Sequence, residues 1–189
     1  MTPAFWRELP QIVKDIDQSA KARVFVISST GKAFTAGMDL AVFGEDPGVS
    51  GKSAGDNAAQ KTAELQHGAR FHDTIDYYQE SFSCLENCRI PVLAAIQGAC
   101  VGGGVDFVTA CDMRYATEDA FLSVFEINIG MTADVGTVTR LVKLIPEGVV
   151  RELAYTGRRI YADEARSVGL VNRVFQDQET MLTEVMKIA

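Results

Sequence analysis

The sequence predicts an α/β fold, because short apolar strands alternate with amphipathic helices. Val24 to Ile27 and Pro91 to Ile96 are apolar and rich in β-branched residues, which is typical of buried strands in a parallel sheet. A helical pattern precedes the first strand, and another, from Ala58 to about Cys88, precedes the second. A helix that feeds a buried strand favours repeated crossover units.

The first helix is predicted to have Thr2 as its N-cap and Pro3 at its first helical position. It ends near Asp17, and its apolar face consists of Phe5, Leu9, Ile12, Val13 and Ile16. After the first strand, Phe34 to Leu40 carries Gly37 in its middle. Gly44 to Asp56 is rich in Gly, Ser and Pro, and we expect a solvated, flexible loop there.

The second half of the chain continues the alternation of strands and helices. Its predicted strands are Met113 to Tyr115, Phe121 to Val124, and Val171 to Phe175. Its predicted helices are Thr137 to Leu144, Glu147 to Tyr155, Asp163 to Val168, and Glu179 onward.

Glycines interrupt the chain directly after the strand that ends at Ile96. They are Gly98, Gly102, Gly103 and Gly104, and a helical pattern begins near Val101. Glycine permits backbone conformations closed to other residues and lets main-chain N–H groups approach a ligand. N–H groups at a helix start also attract negative charge. The order of glycines matches neither the dinucleotide-binding fingerprint nor, at Gly51 to Ser53, a phosphate-binding loop.

Three acids follow in segments that are otherwise apolar: Asp106, Glu126 and Asp134. Buried carboxyls that lie close together cannot all ionise cheaply, so at least one is expected to have a raised pKa and to donate a proton near neutral pH. The alternative for each acid is a structural role as a helix cap or an ion-pair partner.

Composition limits the classes of function. The chain has 189 residues, 47% of them apolar, and a formal charge of -7, which fits one globular domain and argues against a nucleic-acid-binding surface. No apolar stretch approaches the roughly 20 residues that a membrane span requires. We therefore expect a soluble, intracellular protein without a membrane span.

The cysteines and histidines do not form a recognisable metal or disulfide pattern. Cys84, Cys88, Cys100 and Cys111 are expected to be free thiols, and no four ligands have the spacing of a zinc site. His67 and His72 are expected on a helix surface. We predict no metal ligands.

Three segments resemble the crotonase superfamily, the enoyl-CoA hydratases and isomerases. They are GKAFTAGMDL from Gly31 to Leu40, the glycine-interrupted stretch from Pro91 to Ala116, and ADEARSVGLVNRVF from Ala162 to Phe175. Within the superfamily, the three acids and the ADVGT context of Asp134 look most like the dienoyl-CoA isomerases.

The resemblance implies a crotonase-type (ClpP/crotonase-like) superhelix of stacked ββα units. It implies one domain over residues 1–189, without the hairpin and the further helices found at the two ends of family members. Backbone N–H groups of Met38 and Gly103 would form an oxyanion hole for the thioester. The substrate-binding residues that the resemblance implies are Ala36, Gly37, Met38, Asp39, Leu40 and Gly103.

The implied reaction converts a 3,5-dienoyl-CoA to a 2,4-dienoyl-CoA in fatty acid β-oxidation, with Glu126 acting at C2 and Asp134 at C6. Asp106 replaces a glutamate that hydratases of the family use, and this counts against the alternative of an enoyl-CoA hydratase. A catalytically silent binding subunit is the other alternative. The implied partners are a fatty acyl-CoA substrate and copies of the chain in a homotrimer or a dimer of trimers.

No cofactor is implied, because CoA is part of the substrate. The resemblance places the protein in the cytoplasm of a bacterium, or in the mitochondrion or peroxisome of a eukaryote, with the targeting segment outside this chain.

Overall fold

The computed structural model describes residues 1–39 and 58–189, apart from the side chains of residues 58–67, 69 and 70. Two small sheets form the centre of this part of the chain, and helices cover them. The α/β prediction is therefore confirmed.

The helices and strands follow one another in the order below, with a 3₁₀ helix at Glu126–Ile129. They are α1 (Pro3–Ser19), β1 (Phe25–Ile27), α2 (Ala58–Glu86), β2 (Val92–Ile96), β3 (Ala99–Val101), α3 (Gly103–Thr109), β4 (Met113–Thr117), β5 (Phe121–Ser123), α4 (Thr137–Leu144), α5 (Glu147–Thr156), β6 (Ile160–Tyr161), α6 (Ala162–Ser167), β7 (Arg173–Phe175) and α7 (Gln178–Ile188).

The first sheet has the strand order β1-β2-β4-β7, and all its pairs are parallel. The second has the order β3-β5-β6, with β3 and β5 parallel and β5 and β6 antiparallel. Thr35 extends the second sheet by a single parallel bridge to Cys100. From β1 to β5 the chain thus alternates between the first sheet and the second.

A glycine allows the step from the first sheet to the second. Gly98 lies between β2 and β3 with a φ of +57°, and a Cβ there would lie 2.6 Å from the backbone oxygen of Lys32. The carbonyl of Gly98 accepts a hydrogen bond from the N–H of Phe121 at 3.0 Å, which links the step to β5. Only a residue without a side chain fits this turn.

The core lies between the sheets and the helices, with residues of α1 to α6 in one cluster and residues of α7 in a smaller one. All five residues of β2 are buried, as expected for the central strand of a parallel sheet. Aromatic rings fill the space beneath α3, with the Trp6 and Phe82 centroids 5.1 Å apart and those of Phe82 and Phe107 5.5 Å apart. This packing fixes α1 and α2 beside the glycines that begin α3.

Several details differ from the sequence predictions. The helix predicted from Val101 begins at Gly103, because residues 99–101 pair with β5 instead. Ile12 was wrongly assigned to the core face of α1, since it is 48% exposed, whereas Trp6 is 1% exposed. The turn after Glu126 is a 3₁₀ helix, which ends at Gly130 in the left-handed conformation.

Other predictions are confirmed or lie outside the described residues. Leu40 and the loop from Gly44 to Asp56 lie outside them, as does the side chain of His67. His72 is exposed, and the four cysteines are free. Among the described residues, no helix has the length and apolar character needed to cross a membrane.

Candidate active site

Two backbone segments meet where the sequence predicts the oxyanion hole. Gly103 is the first residue of α3, and its N–H therefore has no acceptor within the helix. A Cβ on Gly103 would lie 3.9 Å from the backbone nitrogen of Met38. Gly37 makes this approach possible, because it has a φ of +94° and a Cβ there would lie 2.9 Å from the carbonyl oxygen of Val101. The N–H groups of Met38 and Gly103, the two predicted donors, thus belong to peptide groups that are far apart in sequence but close in space.

The carboxyl group of Glu126 lies beside the same glycines. A Cβ on Gly102 would lie 3.3 Å from Oε1 of Glu126. Its Oε2 is buried and has no hydrogen-bond partner within the described part of the chain. Burial, with a smaller contribution from the charges of Asp106 and Asp134, raises the pKa of Glu126 to about 7. Glu126 can therefore either accept or donate a proton near neutral pH.

Asp106 lies one helical turn after these glycines and is only 1% exposed. Its Oδ1 accepts a hydrogen bond of 2.6 Å from the backbone N–H of Thr137, the first residue of α4. Burial raises the pKa of Asp106 to about 6, although this hydrogen bond and the charge of Arg140 oppose the rise. Asp106 thus caps α4, the structural role that the sequence left open, and ties α3 to the segment that carries Asp134.

Asp134 lies in residues 131–136, the segment between the 3₁₀ helix and α4, which we call the acid loop. Its side chain is partly exposed, and burial raises its pKa above the ordinary value. The charge of Asp134 in turn raises the pKa values of both Asp106 and Glu126. The three predicted acids therefore form one electrostatically coupled group.

Two clefts border this group of acids. One, of about 510 Å³, is lined by Glu126 and by apolar side chains that include Val124, Ile127, Val142 and Tyr155. The other, of about 350 Å³, is lined by residues of the acid loop and of α2 and α4, among them Asp134, Gln79 and Arg140. Ala133 and Val138 line both clefts, so the acid loop and the start of α4 form the wall between them.

The structure brings together Met38, Gly103 and all three acids, but it does not describe Leu40. Ala36 and Asp39 are exposed beside Gly37 and Met38. Sequence reasoning missed Gln79 and Arg140, which hold the acid loop. No group of three or more possible metal ligands occurs in residues 1–39 and 58–189.

One known protein family matches the whole chain. The family model described as "Enoyl-CoA hydratase/isomerase" matches residues 1–189. The chain belongs to this family. An enoyl-CoA hydratase from Bacillus anthracis has a similar crystal structure, with a TM-score of 0.81 and 30% identity, and the match covers 100% of this chain and 65% of that one. The crotonase-type fold is thereby confirmed.

Relatives within the family include dienoyl-CoA isomerases. The mitochondrial Delta(3,5)-Delta(2,4)-dienoyl-CoA isomerase of Homo sapiens is 45% identical over 190 residues, which are 100% of this chain and 55% of the relative. The peroxisomal enzyme of that name from Arabidopsis thaliana is 37% identical over 185 residues, or 98% of this chain and 64% of the relative. The chain thus spans less than two thirds of the length of either relative.

Proposed function

We propose that this protein is a dienoyl-CoA isomerase, which converts a 3,5-dienoyl-CoA to a 2,4-dienoyl-CoA. The observation that carries the proposal is the electrostatic interaction among Asp106, Glu126 and Asp134. This group of acids lies beside the peptide groups of Met38 and Gly103. The isomerase relatives in Homo sapiens and Arabidopsis thaliana support it. Fatty acid β-oxidation is the process in which we propose that it acts.

The proposed reaction moves one proton from C2 to C6. Glu126 removes the C2 proton, and the electron pair of that C–H bond is first held as an enolate with its negative charge on the thioester oxygen. When the thioester carbonyl re-forms, the pair forms the C2=C3 bond. The C3=C4 pair moves to C4–C5, and the C5=C6 pair takes a proton from Asp134 at C6. After one turnover Glu126 holds a proton and Asp134 has lost one, so exchange with water must restore both groups. The pKa of Glu126, raised to about 7, favours this exchange near neutral pH, and burial raises the pKa of Asp134 in the direction that favours its protonated form.

Negative charge accumulates on the thioester oxygen when the C2 proton leaves. The N–H groups of Met38 and Gly103 are the proposed donors to that oxygen, and one such donor is typically worth about 10²-fold or more in rate. Ala36, Gly37, Asp39 and Leu40 are proposed to line the thioester alongside them. The apolar cleft beside Glu126 offers a surface suited to the acyl chain.

The hydrogen bond of Asp106 favours the isomerase over a hydratase. A hydratase needs two carboxyls to handle one water molecule, but Oδ1 of Asp106 is engaged with the backbone of Thr137. We propose that Asp106 supports the acid loop and tunes the charge of the other two acids. The proposal requires no metal ion and no redox cofactor, because only a proton moves.

Assembly and location are further parts of the proposal. We propose a homotrimer or a dimer of trimers, which light scattering of the full-length protein would detect as three or six times the subunit mass. Mitochondrial and peroxisomal relatives support an organelle location if the source is a eukaryote, and a bacterial protein would be cytoplasmic.

Ultraviolet absorbance of a 3,5-dienoyl-CoA tests the proposal. With the parent protein we expect the conjugated 2,4-dienoyl thioester to accumulate. With Asp134→Asn we expect its formation to slow by about 10²- to 10⁴-fold, since the acid that protonates C6 is lost. Asp163→Asn changes an exposed acid of α6 in the same way and should leave the rate unchanged.

Two outcomes would overturn the proposal. A parent protein that does not isomerise the dienoyl-CoA but adds water to a 2-enoyl-CoA would be a hydratase. A parent that binds CoA esters but carries out neither reaction would be a binding subunit.

A further inference from the structure

Three backbone groups at or next to the acid loop are held by side chains from other segments. The carbonyl oxygen of Asp134 accepts a hydrogen bond of 2.6 Å from Nε2 of Gln79. The carbonyl oxygen of Val135 accepts one of 3.2 Å from Nη1 of Arg140, and the N–H of Thr137 donates to Asp106. Since these groups are almost consecutive, the backbone that carries the Asp134 side chain has little freedom to shift.

Arg140 is the centre of this arrangement. Its side chain is only 8% exposed and reaches across to α2, where the guanidinium lies 2.7 Å from Oε2 of Glu86 and 3.2 Å from Oγ of Ser83. The planar fork of arginine permits several such bonds at once. Gly136 makes room for it, because a Cβ there would overlap the guanidinium.

The partners on α2 belong to one face of that helix. Gln79, Ser83 and Glu86 are spaced four and three residues apart, so their side chains point in the same direction. This face contacts the acid loop directly through Gln79 and indirectly through Arg140. None of the three belongs to the reacting groups described above.

We propose that Gln79 and Arg140 are positioning residues, which hold the acid loop so that the carboxyl of Asp134 meets C6 of the acyl chain. The inference rests on the proposed isomerase function. Loosening the loop would separate the two proton transfers, because Glu126 lies outside the loop, on the 3₁₀ helix that precedes it, with Oε1 beside Gly102. Removal of the C2 proton would continue while delivery of a proton to C6 slows.

Gln79→Met tests the proposal with little change in side-chain volume, and Glu80→Met is the matched control at the adjacent exposed position. In the full-length protein we expect kcat for isomerisation to fall about tenfold in Gln79→Met, as loss of one hydrogen bond to the backbone of Asp134 implies, with KM unchanged. In deuterated water, incorporation of deuterium at C2 should continue at the parent rate. Glu80→Met should behave as the parent does.

Arg140→Lys provides a second test, because lysine keeps the positive charge near Asp106 but lacks the fork. We expect removal of the C2 proton to continue while delivery of a proton to C6 slows. The loss of kcat should be larger than in Gln79→Met. Parent-like kcat in both variants would overturn the proposal. Equal losses of isomerisation and of C2 exchange would also overturn it, since they would indicate damage to the whole site.

Amide hydrogen exchange measures the mobility of the acid loop directly, so it tests the positioning role even if the proposed function is wrong. Deuterium uptake by residues 131–137 should be faster in Gln79→Met than in Glu80→Met, with uptake elsewhere unchanged. If the parent protein does not isomerise dienoyl-CoA, the function fails, and this uptake alone decides whether Gln79 holds the loop. Unchanged uptake in the variant would refute the positioning role.

Discussion

The glycine loop, residues 98–104, and the acid loop face the same site but are fixed in different ways. The glycine loop and its neighbour Gly37 are fixed by close backbone approach, as the positions of Gly37 and Gly98 against the carbonyls of Val101 and Lys32 show. The acid loop is fixed by hydrogen bonds from the side chains of Gln79, Arg140 and Asp106.

This difference predicts different responses to substitution. At Gly37 and Gly98 a single added methyl group meets a backbone oxygen, which cannot move without disturbing both sheets. In the acid loop a side chain can be changed while the two sheets remain intact. Such a substitution should therefore lower activity without unfolding the protein. Substitutions beside the two loops test this difference.

The largest effect is expected for Gly37→Ala. The new Cβ would meet the carbonyl oxygen of Val101 at a positive φ, which should destabilise the protein by about 1–3 kcal/mol. Displacement of the adjoining Met38 N–H should also slow isomerisation by about 10²-fold or more. Urea unfolding and the absorbance assay measure the two losses.

Gly31→Ala is the control, since a Cβ at Gly31 has its nearest neighbour at 3.6 Å. If Gly37→Ala were as stable and as active as Gly31→Ala, the close-approach explanation of the glycine loop would be wrong.

Glu126→Gln is expected to lower activity and raise stability. Removing the base should slow isomerisation by about 10²- to 10⁴-fold. Because burial raises the pKa of Glu126 from 4.5 to about 7, its ionisation opposes folding. The glutamine variant should therefore be more stable than the parent by about 3 kcal/mol at alkaline pH.

The pH dependence provides the check on this explanation. Between pH 4.5 and about 7 the folded form binds more protons at Glu126 than the unfolded form does. The stability that this group contributes is fully present below pH 4.5 and is lost as pH rises through about 7. The stability advantage of Glu126→Gln should vanish at acid pH. A constant advantage at every pH would contradict the role of ionisation.

The smallest effect is expected at Gly130, which ends the 3₁₀ helix that carries Glu126. Its φ is +73°, but a Cβ there would meet nothing within 4 Å, so only backbone conformation opposes a side chain. Gly130→Ala should cost about 1 kcal/mol in thermal or urea unfolding. Gly130→Asn should cost less, because asparagine tolerates the left-handed region, and equal costs would indicate a cause other than backbone conformation.

The sequence predicted the fold and the acids because both depend on strong local patterns. The run that became β2 is apolar throughout, and carboxyls such as Asp106 and Glu126 are conspicuous in apolar segments. The strand β3 was missed because its three residues between glycines have no periodicity of their own. It forms through its pairing with β5 and its bridge to Thr35.

Gln79 and Arg140 could not be predicted for a related reason. Each is a polar residue on an amphipathic helix, a position that usually faces solvent. Their burial depends on the approach of α2 to the acid loop, a contact between distant parts of the chain. Gly136, directly before α4, was the one local sign that a bulky group would lie close to the backbone.

The position of Trp6 gives the protein an optical probe. It is the chain's single tryptophan, and its ring lies 4.0 Å from the place that a Cβ of Gly103 would occupy. A ligand held at Gly103 would lie close to the indole and change its surroundings. We therefore expect a change in Trp6 fluorescence to report occupancy of the site even in variants that no longer turn over.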